Sequence, residues 1–271
     1  MAISAVQHIR RMRGGAQSHL MRASDGHYYV VKFQNNPQHV RVLANEFLAT
    51  RLAERLGLPV PATEIIEVGS WLIDNTPELR MQLAGAETPC HAGLQFGARF
   101  VADGIDMEVF DYLPESLLER LRNMNDFVRM LVLDKWTGNS NGRQAVFLKK
   151  PRQKNYTAVF IDQGYCFNAG EWSFADSALR GVYSRNSVYA DVDGWDNFEP
   201  ALTRAEKMEG AELWQCAENI PPEWYEHDVE GLERLIDTLV KRRCLIRELI
   251  ISFRESSRQP FPKWQQRAVV V

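Results

Sequence analysis

The chain has 271 residues, of which 45% are hydrophobic and 25% charged, a composition typical of a folded globular protein with one large domain or two lobes. A net charge of -3 and a pI near 6.1 argue against a nucleic-acid partner or a membrane surface bound through overall charge. No apolar run approaches the roughly 20 residues that a membrane-spanning helix needs, and the first residues show no signal-peptide pattern. The four cysteines are far apart and form no Cys-x-x-Cys pair, so reduced thiols and a cytoplasmic location are expected.

The first predicted element is a pair of strands joined by a glycine-rich turn. The turn comprises Gly14, Gly15, Ala16, Gln17 and Ser18. A second turn at Asp25-Gly26 predicts a hairpin, whose last strand ends near Lys32. Glycines let the backbone approach a phosphate closely, and a lysine on the neighbouring strand can neutralise it. Taken alone, these residues favour a plain hairpin with an exposed lysine.

A long amphipathic helix is predicted next. Asn36-Pro37 is a typical helix start, apolar residues recur at helical spacing as far as Leu56, and Gly57 ends the pattern. Glu46 lies beside the apolar stripe. From its spacing, Glu46 either pairs with Lys32 or is an ordinary surface carboxylate.

Further strands are predicted at residues 63–68, 70–73 and 94–101, with irregular structure at residues 78–89 between them. Residues 102–104 follow as a crossing between two lobes, where an adenine ring would pair with backbone groups.

Two helices are predicted after the crossing, at residues 114–123 and 126–136. The second is apolar nearly all round and is therefore expected to be buried. Asp134, near its end, either orients the following loop, contacts a substrate hydroxyl, or pairs with an arginine.

A polar loop after this helix leads through a short strand and a hairpin tip to a second strand that ends at Asp162. A carboxylate placed just before a flexible turn suits Mg²⁺ bound across two phosphates. Long loops at residues 167–198 and a helix at residues 203–217 are predicted beyond it. Asp228 then caps a last helix that is expected to reach about Glu255.

The order of these features resembles the HipA-like kinases, most closely the short single-domain group within the protein-kinase-like fold. The resemblance covers roughly residues 10–230. The features that carry it are the glycine-rich hairpin, Lys32, Glu46 followed by Leu56-Gly57-Leu58-Pro59-Val60-Pro61, the loop from Trp136 to Arg143, and the strand ending in Ile161-Asp162.

The resemblance implies a bilobal α+β fold. Residues 1–103 would form a nucleotide-binding N-lobe with an antiparallel sheet and one main helix. Residues 104–271 would form a mostly helical C-lobe with the catalytic loop and the metal site. The implied activity is ATP- and Mg²⁺-dependent phosphoryl transfer, usually to a protein serine or threonine.

The resemblance also assigns roles to individual residues. Lys32 would contact the phosphates of ATP, Glu46 would orient Lys32, and Asp162 would bind Mg²⁺. The backbone that cradles the phosphates would belong to Gly14, Gly15, Ala16, Gln17 and Ser18.

Two positions depart from the family pattern. The position of the catalytic aspartate is Asn141, and an amide cannot accept a proton from a substrate hydroxyl near neutral pH. Five residues later, where kinases carry a metal-binding asparagine, the chain has Val146. Gln144 or Asn139 would supply the missing oxygen, and Gln144 is the first choice.

Asn141 has two explanations, namely an Asp→Asn variant made to trap a complex or a natural pseudokinase. We favour the variant because Lys32, Glu46 and Asp162 all remain. A subsidiary hypothesis makes Ser18 a self-phosphorylation site that would eject ATP by charge and bulk, although an ordinary turn serine is the simpler explanation.

Two other functions stay open beside an inactivated protein kinase. One is a nucleotide-sensing pseudokinase or scaffold that binds a partner protein. The other is a small-molecule phosphotransferase of the aminoglycoside-kinase type, in which acidic residues would line the acceptor cleft. The candidates for that lining are Glu108, Asp111, Glu171, Asp191, Asp193 and Asp196.

Overall fold

A computed structural model describes residues 3–104 and 106–264 of the chain. The fold is mixed α+β, with strands dominating the N-terminal part and helices the C-terminal part. Among the described residues, no helix is both long and apolar enough to cross a membrane.

The N-terminal part is built around a closed five-stranded barrel in the order β1-β2-β3-β7-β4. The expected antiparallel sheet is corrected in one respect, because β1 pairs with β4 in parallel and so closes the barrel. The strands are β1 (Ile3–Arg11), β2 (His19–Ala23), β3 (Tyr28–Lys32), β4 (Thr63–Val68), β5 (Arg80–Leu83), β6 (Ala86–Pro89) and β7 (Gly93–Arg99).

Helix α1 (Arg41–Leu56) begins four residues later than Asn36-Pro37 predicts. The Asn36 amide holds a loop instead, since its Nδ2 donates to the Phe33 carbonyl at 2.9 Å. The end of α1 agrees with the prediction, because Gly57 adopts a left-handed conformation with φ of 79°.

The segment between β4 and β7 differs from its prediction in two places. Residues 70–73 form helix α2 (Ser70–Asp74) and not a strand. Residues 78–89, expected to be irregular, contain the β5–β6 hairpin, whose turn places Ala84 and Gly85 at positive φ. An Ala-Gly turn lacks the Asn-Gly or Asp-Gly signal of tight hairpins.

The C-terminal part contains a three-stranded sheet in the order β10-β9-β8, packed beside the helices. Helix α4 (Asp126–Trp136) has the predicted bounds and is buried on most sides. The other elements are β8 (Glu108–Phe110), α3 (Glu115–Leu118), β9 (Gln144–Lys149), β10 (Thr157–Ile161), α5 (Ala201–Lys207), α6 (Gly210–Ala217), α7 (Val229–Arg242) and α8 (Ile246–Arg254).

Three predicted helices were too long. The helix at 114–123 shrinks to the single turn α3, and the helix at 203–217 divides into α5 and α6 because the backbone N–H of Glu209 bonds to the Glu212 carboxylate and starts a new helix. The last helix is interrupted by a tighter turn at Arg243–Leu245, although Asp228 caps its start as predicted.

The hydrophobic core joins the two parts. Its larger cluster combines Phe47 of α1 with Trp136 of α4 and Trp224 of the C-terminal part, all almost fully buried. A smaller cluster fills the barrel around Val31 and Ile66. Helix α1 therefore packs against the C-terminal part as well as the barrel, and it carries Glu46 to the boundary between them.

Candidate active site

A cleft of about 780 Å³ lies at this boundary. Its volume is in the range of pockets that bind small molecules and cofactors. It is bordered by the glycine-rich turn, helix α1, the crossing segment near Phe100 and Val101, and strands β9 and β10. Residues 102–104, predicted as the crossing that meets an adenine ring, do not line the cleft, whereas Phe100 and Val101 just before them do.

Three charged side chains meet at one wall of the cleft. Lys32, at the end of β3, donates a hydrogen bond to Glu46 of α1 and another to Asp162 Oδ1 at 2.7 Å. Glu46 also accepts a bond from the backbone N–H of Gln163 at 3.0 Å. The pairing of Lys32 with Glu46, which the sequence left open, is present.

The charges of this group are fixed by their mutual contacts. Burial lowers the pKa of Lys32, but the carboxylates of Glu46 and Asp162 together outweigh it and raise the pKa above its ordinary value. Burial likewise raises the pKa of Asp162, and the Lys32 ammonium overcomes this, so that the net pKa is lowered. Lys32 is therefore a fixed cation beside an ionised Asp162 at neutral pH.

The glycine-rich turn connects β1 to β2 above these charges. Gly14, Gly15, Ala16 and Ser18 line the cleft. Gly14 has φ of 123°, a conformation that favours glycine. Gln17 does not line the cleft, because its side chain makes two hydrogen bonds to the backbone of Gln82 on β5. Gln17 therefore anchors the turn to the neighbouring hairpin.

Asp134 and Asn139 lie behind the cleft and not in it. Asp134 forms a fully buried ion pair with Arg143, one of the roles that the sequence left open. Asn139 donates to Asp134 Oδ1 at 2.8 Å and accepts from the Asn141 backbone at 3.0 Å. Arg143 in turn donates to the carbonyl of Ile161 at 3.0 Å. This network positions the polar loop against the strand that carries Asp162.

Asn141 and Gln144 do line the cleft. The Asn141 side-chain oxygen accepts a hydrogen bond from the next backbone N–H, that of Gly142, at 2.8 Å. Gln144 donates to Asp162 Oδ2 at 2.6 Å. Of the two amides expected to supply a metal ligand, Gln144 reaches Asp162 and Asn139 does not.

The acidic residues proposed for an acceptor cleft do not converge. Asp111 lines the cleft. Glu108 pairs with Lys149 at 2.6 Å and Asp191 with Lys263 at 2.5 Å, and the remaining three do not line the cleft.

Asn45 is a residue whose role the sequence did not reveal. Its Nδ2 donates to three backbone carbonyls of the segment after Asp162, those of Gly164, Cys166 and Ala169. Its Oδ1 accepts from the Trp172 indole at 2.8 Å. The available signal was an amide beside Glu46 within an otherwise apolar helical stretch.

A divalent cation fits this site only together with a ligand that supplies oxygens. Among residues 3–104 and 106–264, no three His, Cys, Asp or Glu side chains form a metal cluster. Mg²⁺ is usually held by one or two carboxylates together with substrate phosphates. Asp162, with the amide oxygen of Gln144, matches that smaller donor set.

A family model described as HipA-like kinase matches residues 5–247. The chain belongs to the HipA-like kinase family. This confirms the resemblance drawn from the ordered motifs, and with it a phosphotransferase of the kinase class. No curated protein matches the sequence itself.

Solved structures with kinase folds resemble the chain at low sequence identity. The proinflammatory kinase CtkA of Helicobacter pylori superposes with a TM-score of 0.53 at 14% identity, covering 90% of this chain and 99% of CtkA. The Golgi casein kinase with Mn and ADP bound gives 0.53 at 11%, covering 94% and 73%. HipA of Shewanella oneidensis MR-1, in a complex with HipB and operator DNA, gives 0.52 at 13%, covering 93% and 68%. These likenesses concern the fold.

Proposed function

We propose that the chain is an ATP- and Mg²⁺-dependent phosphotransferase that acts on a serine or threonine of a protein and is impaired by Asn141. The observation that carries the proposal is the contact of Lys32 with both Glu46 and Asp162 in a cleft that the glycine-rich turn also lines. The Golgi casein kinase, a structural neighbour solved with Mn and ADP, supports nucleotide and divalent-metal use. The proposal includes a nucleotide-binding lobe at residues 1–103 and a catalytic lobe at residues 104–271. It also includes a cytoplasmic location.

Different residues would bind the adenine ring, the phosphates and the metal of Mg·ATP. The adenine ring would lie against the crossing near Phe100 and Val101, and the backbone of Gly14, Gly15 and Ala16 would face the phosphates. Lys32 would neutralise one phosphate while Glu46 keeps its ammonium in place. Asp162 and Gln144 would hold Mg²⁺, which when bound reduces the charge repulsion between the phosphates and the attacking oxygen.

The transfer step forms a bond from the acceptor oxygen to the terminal phosphorus and breaks the bond to the bridging oxygen of ADP. The acceptor hydroxyl must lose its proton during this step. An aspartate at position 141 would take that proton, but the amide of Asn141 cannot. Substrate positioning would remain, because Asp134, Asn139 and Arg143 hold the loop independently of the side chain at 141.

The Asn141→Asp variant tests this proposal. General-base catalysis contributes about 10²- to 10⁴-fold, so the phosphoryl-transfer rate should rise within that range while the affinity for Mg·ATP stays similar. Transfer to a generic protein acceptor or to the chain itself can be followed by intact-mass spectrometry, which also shows whether Ser18 is modified. Ser18 is buried in the turn, so its modification would require the turn to open.

Lys32→Ala serves as the control and should lose most Mg·ATP binding. The proposal fails if the folded native chain binds no nucleotide and Asn141→Asp stays inert.

A nucleotide-sensing pseudokinase is the second candidate. The Asn141 side-chain oxygen accepts from the Gly142 N–H, and an amide is not a base, so the cleft would bind a nucleotide without a group to take the acceptor's proton. Saturable Mg·ATP binding combined with an inert Asn141→Asp variant would favour this candidate. The small-molecule alternative keeps Asp111 alone as its support.

A further inference from the structure

Gln38 lies in the loop between β3 and α1, and this loop is held rigidly by Asn36. The Asn36 Oδ1 accepts a hydrogen bond from the Gln38 backbone N–H at 2.9 Å. Its Nδ2 donates to the carbonyls of Phe33 at 2.9 Å and of His39 at 3.2 Å. Since these contacts use the backbone of the loop, its conformation does not depend on the Gln38 side chain.

The Gln38 side chain lines the cleft and carries an unpartnered oxygen. Its Oε1 is buried and has no hydrogen-bond partner among the described residues. Most buried side-chain oxygens in folded proteins are hydrogen-bonded, and an unpaired one destabilises the ligand-free protein. An oxygen left unpaired at the wall of a binding cleft indicates a partner that arrives with the ligand.

Two close approaches, one at Gln38 and one at the neighbouring His39, place this loop beside the region proposed for the phosphates and metal. A Cβ atom on Gly15 would lie 3.3 Å from Gln38 Nε2, so the amide is close to the backbone of the glycine-rich turn. On the other side, a Cβ on Gly170 would lie 2.6 Å from the ring of His39. The loop therefore lies between the glycine-rich turn and the segment that follows Asp162.

The chemistry of the ligand follows from the two ends of the amide. Phosphate oxygens accept hydrogen bonds, so they match Nε2 but cannot satisfy Oε1. Mg²⁺ loses its waters reluctantly and usually keeps several of them, and each is a hydrogen-bond donor. We propose that Gln38 binds the polyphosphate end of a metal-nucleotide complex, with Nε2 donating to a phosphate oxygen and Oε1 accepting from a metal-bound water. This inference rests on the proposed nucleotide binding.

The Gln38→Leu variant separates a ligand contact from a structural role. Leucine removes both polar atoms at similar volume, so the melting temperature of the ligand-free protein should stay the same or rise. Affinity for Mg·ATP, measured by calorimetry, should fall about fivefold to tenfold, as expected for losing hydrogen bonds to a charged ligand. Affinity for AMP and adenosine should be unchanged, since they lack the polyphosphate end.

Gln34→Leu is a matched control in the same loop. Gln34 donates to the Leu94 carbonyl at 2.9 Å and does not line the cleft. This variant should lower the melting temperature and leave the Mg·ATP affinity unchanged, the opposite pattern to Gln38→Leu.

Three outcomes overturn the inference. The first is that Gln38→Leu binds Mg·ATP within twofold of the native affinity while Lys32→Ala loses binding. That result contradicts this inference and leaves the proposed function intact. The second is an equal loss for ATP, AMP and adenosine together with a lower melting temperature. The third is a folded native chain that binds no nucleotide, in which case the proposed function and this inference fall together.

Discussion

Asn45 is a single buried side chain that connects helix α1 to the segment after Asp162. Its amide nitrogen binds three carbonyls from 2.7 to 3.1 Å away. Three consecutive residues of that segment, Phe167, Asn168 and Ala169, have positive φ, which is costly for residues other than glycine. Asn45 therefore offsets the strain of a segment whose shape supports the position of Asp162.

Asn45→Asp tests this role at nearly constant size. A carboxylate cannot donate to three carbonyls and repels them, so the free energy of unfolding should fall by about 3 kcal/mol or more. Urea denaturation measures this loss. Affinity for Mg·ATP should also fall more than affinity for AMP, because the position of Asp162 is disturbed.

Asn125→Asp provides a comparison for the same chemical change. Asn125 donates to one carbonyl, that of Asn197, at 2.8 Å. Its cost should be near 1 kcal/mol, with no selective effect on Mg·ATP. Equal costs for the two variants would contradict the role assigned to Asn45.

Elements with strong local signals were predicted from the sequence, and elements that depend on distant partners were not. Helix α4 agrees in both bounds, because its apolar residues and flanking polar residues act locally. The strand before the glycine-rich turn was predicted without bounds, since register shifts between Ala5 and Gln7 and between His8 and Arg10 break the alternation expected along β1. Its pairing with β4, about 60 residues away, has no local signature.

The candidate site follows the same division. Lys32 ends β3 and Asp162 follows β10, and the resemblance drawn from the order of the motifs was enough to expect the two residues in one cleft, where they are in contact. Gln144 and Asn139 were both possible metal ligands, and the ion pair of Arg143 with Asp134 separates them by drawing Asn139 behind the cleft. Pairings between distant residues of this kind cannot be read from spacing.

The barrel contains a buried histidine, His19, and its burial makes the free energy of unfolding of the protein depend on pH. His19, the first residue of β2, is fully buried beside His8 and Cys90. Burial, with help from the charges of His8 and Arg11, lowers the pKa of His19 to about 4. The unfolded chain takes up a proton near pH 6.5 while the folded barrel resists it, so stability is present above pH 6.5 and is lost as the pH falls toward 4.

The loss attributable to His19 should be about 2 to 3 kcal/mol between pH 6.5 and 4. His19→Leu should flatten this part of the stability profile, measured by urea denaturation at several pH values. A substitution of the exposed His91 by leucine should leave the slope unchanged. An unchanged slope in His19→Leu would show that other groups control the acid response.

Across the whole molecule, Arg242 connects the long helix α7 to helix α4, which leads into the loop at the candidate site. It lies at the end of α7 and donates to the carbonyls of Trp136 and Lys135 in the last turn of α4. The same guanidinium binds both oxygens of Asp176 at 2.8 and 2.7 Å. One buried cation thus satisfies the end of α4 and holds the loop segment at residues 176–182.

Lys135 extends this connection toward the cleft. Its ammonium donates to the carbonyls of Ala178 and Arg180 at 2.8 and 2.7 Å, and burial lowers its pKa to about 8. The segment then pairs with the polar loop, since the Gly181 N–H donates to the Asn141 carbonyl at 3.2 Å. A continuous series of contacts therefore connects α7 to Asn141.

Arg242→Ala should consequently affect both stability and the cleft. The substitution leaves the buried carbonyls of Trp136 and Lys135 without their donor, while Asp176 stays exposed to water, so the free energy of unfolding should fall by about 1 to 3 kcal/mol. Arg254→Ala, which breaks an exposed pair with Glu255, should cost less than about 1 kcal/mol. In the Asn141→Asp background, Arg242→Ala should also slow phosphoryl transfer at a temperature where both proteins are folded, because the loop segment no longer supports position 141. A variant that loses stability but keeps the full transfer rate would confine Arg242 to holding the helices together.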